Sequence, residues 1–183
     1  LDFSNKPKWS YVMGIEMESM LDTYEAYKNE KIISYLQQYP AKMIDKNGNI
    51  TGYEYKDFNL DNVRTARFIY RYNQLYPAKN MEKALKTLFK QLENQPRTNE
   101  GVWWHKAIYA NQVWLDGIYM GLPFYTLAAP ALKGEKKAKK YWDDAVNQIT
   151  KTDARTYDAK TGLWKHAWDE THNMFWANKE TGQ

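Results

Sequence analysis

Cysteine is absent from these 183 residues, so no disulfide, thiol nucleophile, Cys-ligated zinc or iron–sulfur site is available. The absence does not fix a compartment, because many exported bacterial proteins also lack disulfides. Long apolar runs are missing too. Nothing approaches the roughly 20 consecutive apolar residues of a membrane span. With a mean hydropathy of −0.82, a soluble protein with no membrane partner is expected. The chain opens Leu1-Asp2-Phe3, without a Met, a basic n-region or an apolar h-region. A removed signal segment and a trimmed chain both stay open. Gly117, Gly121, Gly162 and Gly182 make no phosphate-cradling loop, and no serine sits in a nucleophile elbow. The 3 histidines, at 105, 166 and 172, lack the i, i+4 spacing of a helical metal site, so no metal is expected.

Charge is close to balanced, with 26 basic and 22 acidic residues for a net +4. Only residues 133–140 are densely basic. Glu135 and small residues interleave there at helical spacing, which reads as a solvated helix face rather than a polyanion patch. No nucleic-acid partner is expected, while an anionic small ligand suits the charge.

Aromatics are abundant instead: 8 Trp, 15 Tyr and 6 Phe, 16% of the chain. A single domain of this length buries about two thirds of its unfolded surface. Large aromatic side chains fill such a core or line a cleft. The apolar period is helical almost throughout. Residues 9–29 carry Val12, Met13, Met17, Met20, Leu21, Tyr24 and Tyr27 on one stripe, and a second run from Glu30 ends or kinks at Pro40. Turn residues 45–49 follow. A third helix opens around 59–61 and stops before Pro77, and a fourth starts behind Asn80 as N-cap and buries Met81 to Leu92. Residues 94–110 are irregular, long enough that a functional loop is expected. A fifth helix is predicted over 112–128, bent at Pro123, and a sixth over 136–151. Residues 153–183 read as loop with short extended pieces. No strand series capable of a sheet is seen. The pattern is all-α, paired antiparallel helices, as in an α-solenoid or part of an α/α toroid.

Two acids stand out. Asp116 lies among large apolar neighbours early in a helix, in Val113-Trp114-Leu115-Asp116-Gly117-Ile118-Tyr119-Met120. Burial against Trp114 and Tyr119 would favour its protonated form, as a general acid requires. The competing reading is a first-turn acid satisfying free amides. Asp61, in Asn59-Leu60-Asp61-Asn62, is either a helix cap or first-turn acid, or a second carboxylate on the same cleft. His105-Lys106 follows Trp103-Trp104, and His166 and Asp169 lie in a second Trp-rich stretch. They fit hydrogen-bonding groups beside aromatic platforms, or loop histidines packed on tryptophan. On residues alone, a non-catalytic helical carbohydrate-binding or scaffold protein and an enzyme stand level.

Several segments then occur in order: Trp9-Ser10-Tyr11-Val12-Met13-Gly14, Asn59-Leu60-Asp61, Pro96-Arg97-Thr98, Trp104-His105-Lys106, residues 112–120, Pro123-Phe124-Tyr125, Thr161-Gly162-Leu163 and His166-Ala167-Trp168-Asp169-Glu170. Together they resemble glycoside hydrolase family 105, the unsaturated rhamnogalacturonyl hydrolases, which are related to the unsaturated glucuronyl hydrolases. The resemblance implies an (α/α)6 barrel of about a dozen helices. Residues 1–183 would then be a partial catalytic domain, its N-terminal half. It also implies a bacterial protein, with periplasm and cytoplasm both open. The substrate is an oligosaccharide left by a polysaccharide lyase, with a 4,5-unsaturated uronic acid at its non-reducing end. An acid protonates the C4=C5 bond, water adds at C5, and collapse of the hemiketal frees the next sugar, with no metal or other cofactor. By the resemblance Asp116 is the general acid/base and Asp61 the assisting acid. His105, Lys106, Trp114 and His166 line the sugar pocket, with Trp168 and Trp176 as looser candidates. The arginine for the uronate carboxylate is expected beyond Gln183.

Overall fold

The computed structural model describes residues 7–183, so the Leu1-Asp2-Phe3 opening lies outside it. The first helix, α1 (Tyr11–Tyr27), starts where the Ser10 hydroxyl accepts the Met13 amide. The expected second helix divides at Gln37 into α2 (Glu30–Leu36) and α3 (Gln38–Met43). Pro40 does not end it. It sits in the first turn of α3, where its missing N–H has no intrahelical partner to lose. A short 3-10 turn at Leu60–Val63 feeds α4 (Arg64–Leu75), and α5 (Lys79–Asn94) returns. Asn80 is not the cap of α5. The Asn73 side chain takes the Ala78 amide, and Asn80 reaches the Ile44 carbonyl.

The fifth predicted helix is half strand. Residues Gln112–Trp114 form β1, and α6 runs from Asp116 to Lys133 with Pro123 and Pro130 inside it. Proline at 130 releases the Thr126 carbonyl four residues back, and the Trp142 indole N–H takes it at 3.1 Å. The last helix, α7 (Glu135–Thr156), outruns its predicted end. Beyond it, β2 (Tyr157–Asp158) and β3 (Leu163–Trp164) form a small hairpin, and β4 (Ala167–Asp169) pairs antiparallel with β1. In that register Gln112 faces Asp169, Val113 faces Trp168 and Trp114 faces Ala167. The expectation of no sheet is thus corrected to two two-stranded ones. Among the described residues no helix is long and apolar enough to cross a membrane.

Helices α1, α4 and α6 lie side by side, and α2 with α3, α5 and α7 return against them. The starts of α1 and α4 are tied together. The Trp9 indole donates to the Asn62 carbonyl at 2.7 Å and the Thr65 hydroxyl to the Ser10 carbonyl at 2.8 Å. Gly14 is required at this crossing, since a Cβ there would lie 2.6 Å from the Thr65 hydroxyl. The molecule is therefore three helical pairs of an all-α, (α/α)6-type toroid, with the starts of the first-layer helices at one end.

Between the layers sit Leu21, Leu36, Tyr39, Phe68, Leu88, Phe89 and Phe124, all sealed from solvent. Phe89 stacks on Tyr125 at 5.4 Å and meets Phe124 and Tyr141 edge-on. The irregular loop after α5 is fastened to α7. Arg97 grips Asp144 with two bonds of 2.7 Å, and Gln148 holds the Gly101 carbonyl and the Trp103 amide.

Candidate active site

The two acids meet at the end where α4 and α6 begin. Asn59 caps the 3-10 turn by accepting the Asp61 amide, which leaves the Asp61 carboxylate free to look outward. Asp61 is therefore not the cap. One of its oxygens takes the His105 Nε2 at 3.1 Å, and the other takes the Lys106 ammonium at 2.7 Å. Burial pushes its pKa up, but the hydrogen bonds from His105 and Lys106, with the Lys106 charge, outweigh it and hold the carboxyl below its usual range.

Asp116 opens α6. Oxygen atoms of Asp61 and Asp116 and a ring nitrogen of His105 all lie within 4.8 Å of one another. No side chain caps α6, and the enclosed Asp116 Oδ1 has no hydrogen-bond partner. The first-turn capping role is not what the structure shows. The surroundings also differ from expectation. Asp116 is half-buried, and Tyr119 turns outward, 43% exposed, with its hydroxyl taken by Arg64.

His105 is 1% exposed, and its Nδ1 is enclosed without a partner. A proton there would be a buried donor lacking an acceptor, so the ring proton belongs on Nε2, given to Asp61. The ring is fixed by stacking on Trp114, centroids 4.8 Å apart and 3° from parallel. Tyr109 covers the other face of Trp114 at 4.8 Å and 10°. Trp114 is thus expected as a sugar platform but has both faces taken. It offers an edge, with His166 against it at 5.2 Å. Gly117 packs tightly here, its missing Cβ 3.1 Å from Leu60 and 3.3 Å from His105.

Beside this group lies an open cavity of about 410 Å³ lined by Trp114, Lys165, His166, Ala167, Trp176 and Gln183. His166 and Trp176 both line this cavity. Trp168 is not. It is 4% exposed, packs with Val102 and Val113, gives its indole N–H to the Thr181 carbonyl and lies under Arg155. It is a core residue, set opposite Val113 in the β1–β4 ladder, while His166 lies just ahead of the strand and lines the cavity.

Lys106 was expected to meet a ligand's charge, yet its ammonium is committed to Asp61. Two carboxylates and an imidazole form a donor set that suits a divalent cation by type, but the Lys106 ammonium already occupies Asp61 and repels a second cation. Sequence reasoning missed Tyr109, Arg64 and Glu18. Arg64 and Tyr119 each lie three residues beyond an acid, so helical spacing places them one turn beneath the pair, a signal present in the sequence. There Arg64 joins Glu18 at 2.6 Å and the Tyr119 hydroxyl at 2.7 Å.

The sequence model described as Glycosyl Hydrolase Family 88 matches residues 1–183. Among solved structures, a C. acetobutylicum glycoside hydrolase from family 105 superposes with a TM-score of 0.90 at 35% identity, covering 96% of this chain and 48% of that one. Two described as possible members of family 105 come from Salmonella enterica serovar Paratyphi A and Klebsiella pneumoniae. They give TM-scores of 0.72 and 0.73 at 19% and 17% identity, over 88% of this chain and 41% of theirs. At that identity the likeness is one of fold. The chain spans about half the length of the solved structures it matches.

Proposed function

The chain belongs to glycosyl hydrolase family 88, and from that footing we propose that it contributes the acid pair of an unsaturated uronyl hydrolase. The substrate is an oligosaccharide of the rhamnogalacturonan or pectin type, ending in a 4,5-unsaturated uronic acid. The observation that carries this reading is the asymmetry of the pair. Asp61 is held as an anion by two donors, whereas an oxygen of Asp116, within 4.8 Å of it, has no partner. Paired carboxyls in unlike surroundings are how acid and base roles are divided.

In the proposed reaction Asp116 gives its proton to C4 of the double bond, and positive charge develops at C5 and the ring oxygen. The fixed negative charge of Asp61 stabilises it. Water adds at C5 and returns its proton to Asp116. The hemiketal then opens and the next sugar leaves. An ordinary inverting glycosidase, which uses two carboxyls on either side of the scissile bond, is the second reading. It would cleave saturated substrates.

Residues 1–183 would supply one half of the barrel, and the remainder would bring the other walls and the arginine for the uronate carboxylate. The test is the full-length enzyme with Asp116→Asn, following loss of absorbance from the conjugated double bond on lyase-generated oligosaccharides. Turnover should fall about 10²–10⁴-fold with substrate still bound, and Asp61→Asn should also slow it. Normal turnover by Asp116→Asn, or cleavage of saturated substrates alone, would sink the reading.

A further inference from the structure

Asp169 is the most thoroughly satisfied acid of the C-terminal segment. It is 1% exposed, and no step of the proposed reaction uses it. Its Oδ1 accepts the Thr171 amide at 3.0 Å and the Thr171 hydroxyl at 2.9 Å. Its Oδ2 accepts the same hydroxyl at 3.0 Å, the Asn173 amide at 2.8 Å and the Met174 amide at 2.9 Å. One carboxylate therefore folds residues 171–174 around itself. The Ala177 amide bonds back to the Met174 carbonyl at 3.0 Å, which closes the turn that presents Trp176. The Asp169 backbone amide also donates to Gly182 at 2.8 Å, just before Gln183. Trp176 and Gln183 are the part of the 410 Å³ cavity wall that comes from this segment.

The other end of the same strand holds the acid side. Asp169 faces Gln112 in the β1–β4 ladder, Ala167 faces Trp114, and the Leu115 amide donates to the His166 carbonyl at 2.7 Å, one residue before Asp116. A single buried acid thus sets the Trp176 wall at a fixed distance from the Trp114 edge. The charge is what makes this work: amide donors converging on one buried carboxylate give charge-assisted bonds, about twice as strong as neutral ones.

We propose that Asp169 is a positioning residue that holds the Trp176 wall of the cavity and so sets the grip on the sugar that follows the reacting uronate. The inference rests on the proposed function for its substrate and on the hydrogen bonds for its mechanism. Asp169→Asn in the full-length enzyme should raise KM for an unsaturated disaccharide about tenfold, leaving kcat within about twofold. The unsaturated uronate carrying only a methyl group in place of the sugar should be hydrolysed at the wild-type kcat/KM. Thr171→Val, which removes one donor and keeps the carboxylate, should move KM in the same direction by less. Trp176→Ala should phenocopy Asp169→Asn, and the double variant should be no worse than either single one. Hydrogen exchange of the Thr171, Asn173 and Met174 amides should quicken in Asp169→Asn. Equal losses on both substrates, full additivity with Trp176→Ala, or unchanged exchange would overturn the positioning role. A wild type that hydrolyses neither substrate would sink the functional reading, and the exchange measurement tests the hold on the loop by itself.

Discussion

Replacing Glu18 by Gln changes charge while keeping volume, so no cavity forms and the cost is electrostatic. Glu18 is 4% exposed and faces three arginines, with Arg64 at 2.6 Å, Arg67 at 2.8 Å and Arg71 at 3.1 Å. The three do not weigh equally. Arg71 keeps Asp22 at 2.6 Å and Glu25 at 2.7 Å, and the Arg67 side chain is 34% exposed, so water screens it. Arg64 has no such outlet. It is 3% exposed, and its Nε and Nη1 are already enclosed without partners. Without Glu18 it retains only the Tyr119 hydroxyl and ring.

Removing one partner of a buried pair typically costs about 3–5 kcal/mol, because the other charge is left uncompensated. The amide oxygen of Gln still accepts a hydrogen bond, which places the expected cost at the lower end, about 3 kcal/mol. For a chain of this size that lowers Tm by roughly 6–12 °C. Urea unfolding of both proteins, with the slope checked for constancy, gives the difference directly. The double change Glu18→Leu with Arg64→Met removes both charges and should recover most of the loss. A cost under about 1 kcal/mol for Glu18→Gln, or a double variant weaker than the single, would refute the claim that Arg64 depends on this one acid. Because Arg64 follows Asp61 by less than a helical turn, the same variant should also slow turnover.

Lys106→Met should shift the acid limb of the kcat/KM profile to higher pH. Burial raises the Asp61 pKa, the Lys106 bond helps to hold it down, and only His105 then remains to oppose burial. The sign for stability agrees. A carboxyl depressed on folding stabilises above its unfolded value, and that contribution fades as pH falls through the folded one. The variant should therefore be less stable at neutral pH and lose less on acidification, and an unmoved acid limb would remove Lys106 from the role of fixing Asp61 as an anion. Trp168→Ala should destabilise the protein by about 3 kcal/mol, the usual cost of emptying a buried aromatic site. Trp176→Ala should leave the urea midpoint nearly unchanged and weaken saccharide binding; the reverse pattern would exchange the two assignments.

The helical pairs were legible because apolar residues recur with the period of a helix facing one core. Met81, Ala84, Leu85, Leu88, Phe89 and Leu92, chosen by that period, all lie buried on α5. Failures came where tertiary partners replace local rules. The fifth helix was expected to end near Ala128, yet α6 passes Pro130 to Lys133, and the indole of α7 takes the carbonyl that the ring frees. Asn80 looked like a cap, but α5 begins a residue earlier, the Glu82 amide already bonds to the Ala78 carbonyl, and the Asn80 side chain reaches the Ile44 carbonyl instead. Residues 112–114 look helical in sequence since Val113 and Trp114 continue the apolar period. Their backbone partner is β4, more than fifty residues later, and a pairing so distant leaves no local trace.

The acids themselves were readable, since each begins a helix and helices of like direction put their starts together. What a sequence does not carry is which face of a side chain is spent. Trp114 stands beside Asp116 in an aromatic motif, so it reads as a platform for a ring. In the fold its two faces are closed by His105 and Tyr109, residues from the irregular loop before β1. That sandwich changes the role of the tryptophan. It fixes the imidazole that bonds Asp61, and Trp114 still lines the cavity beside them. In the function proposed above, the stacking duty would fall to Trp176, which lines the cavity seven residues after the buried Asp169 carboxylate. Trp168 and Trp176 are indistinguishable as letters in a loop. The antiparallel pairing of β4 with β1 separates them, turning the first into the small core with Val113 and leaving the second on the cavity wall.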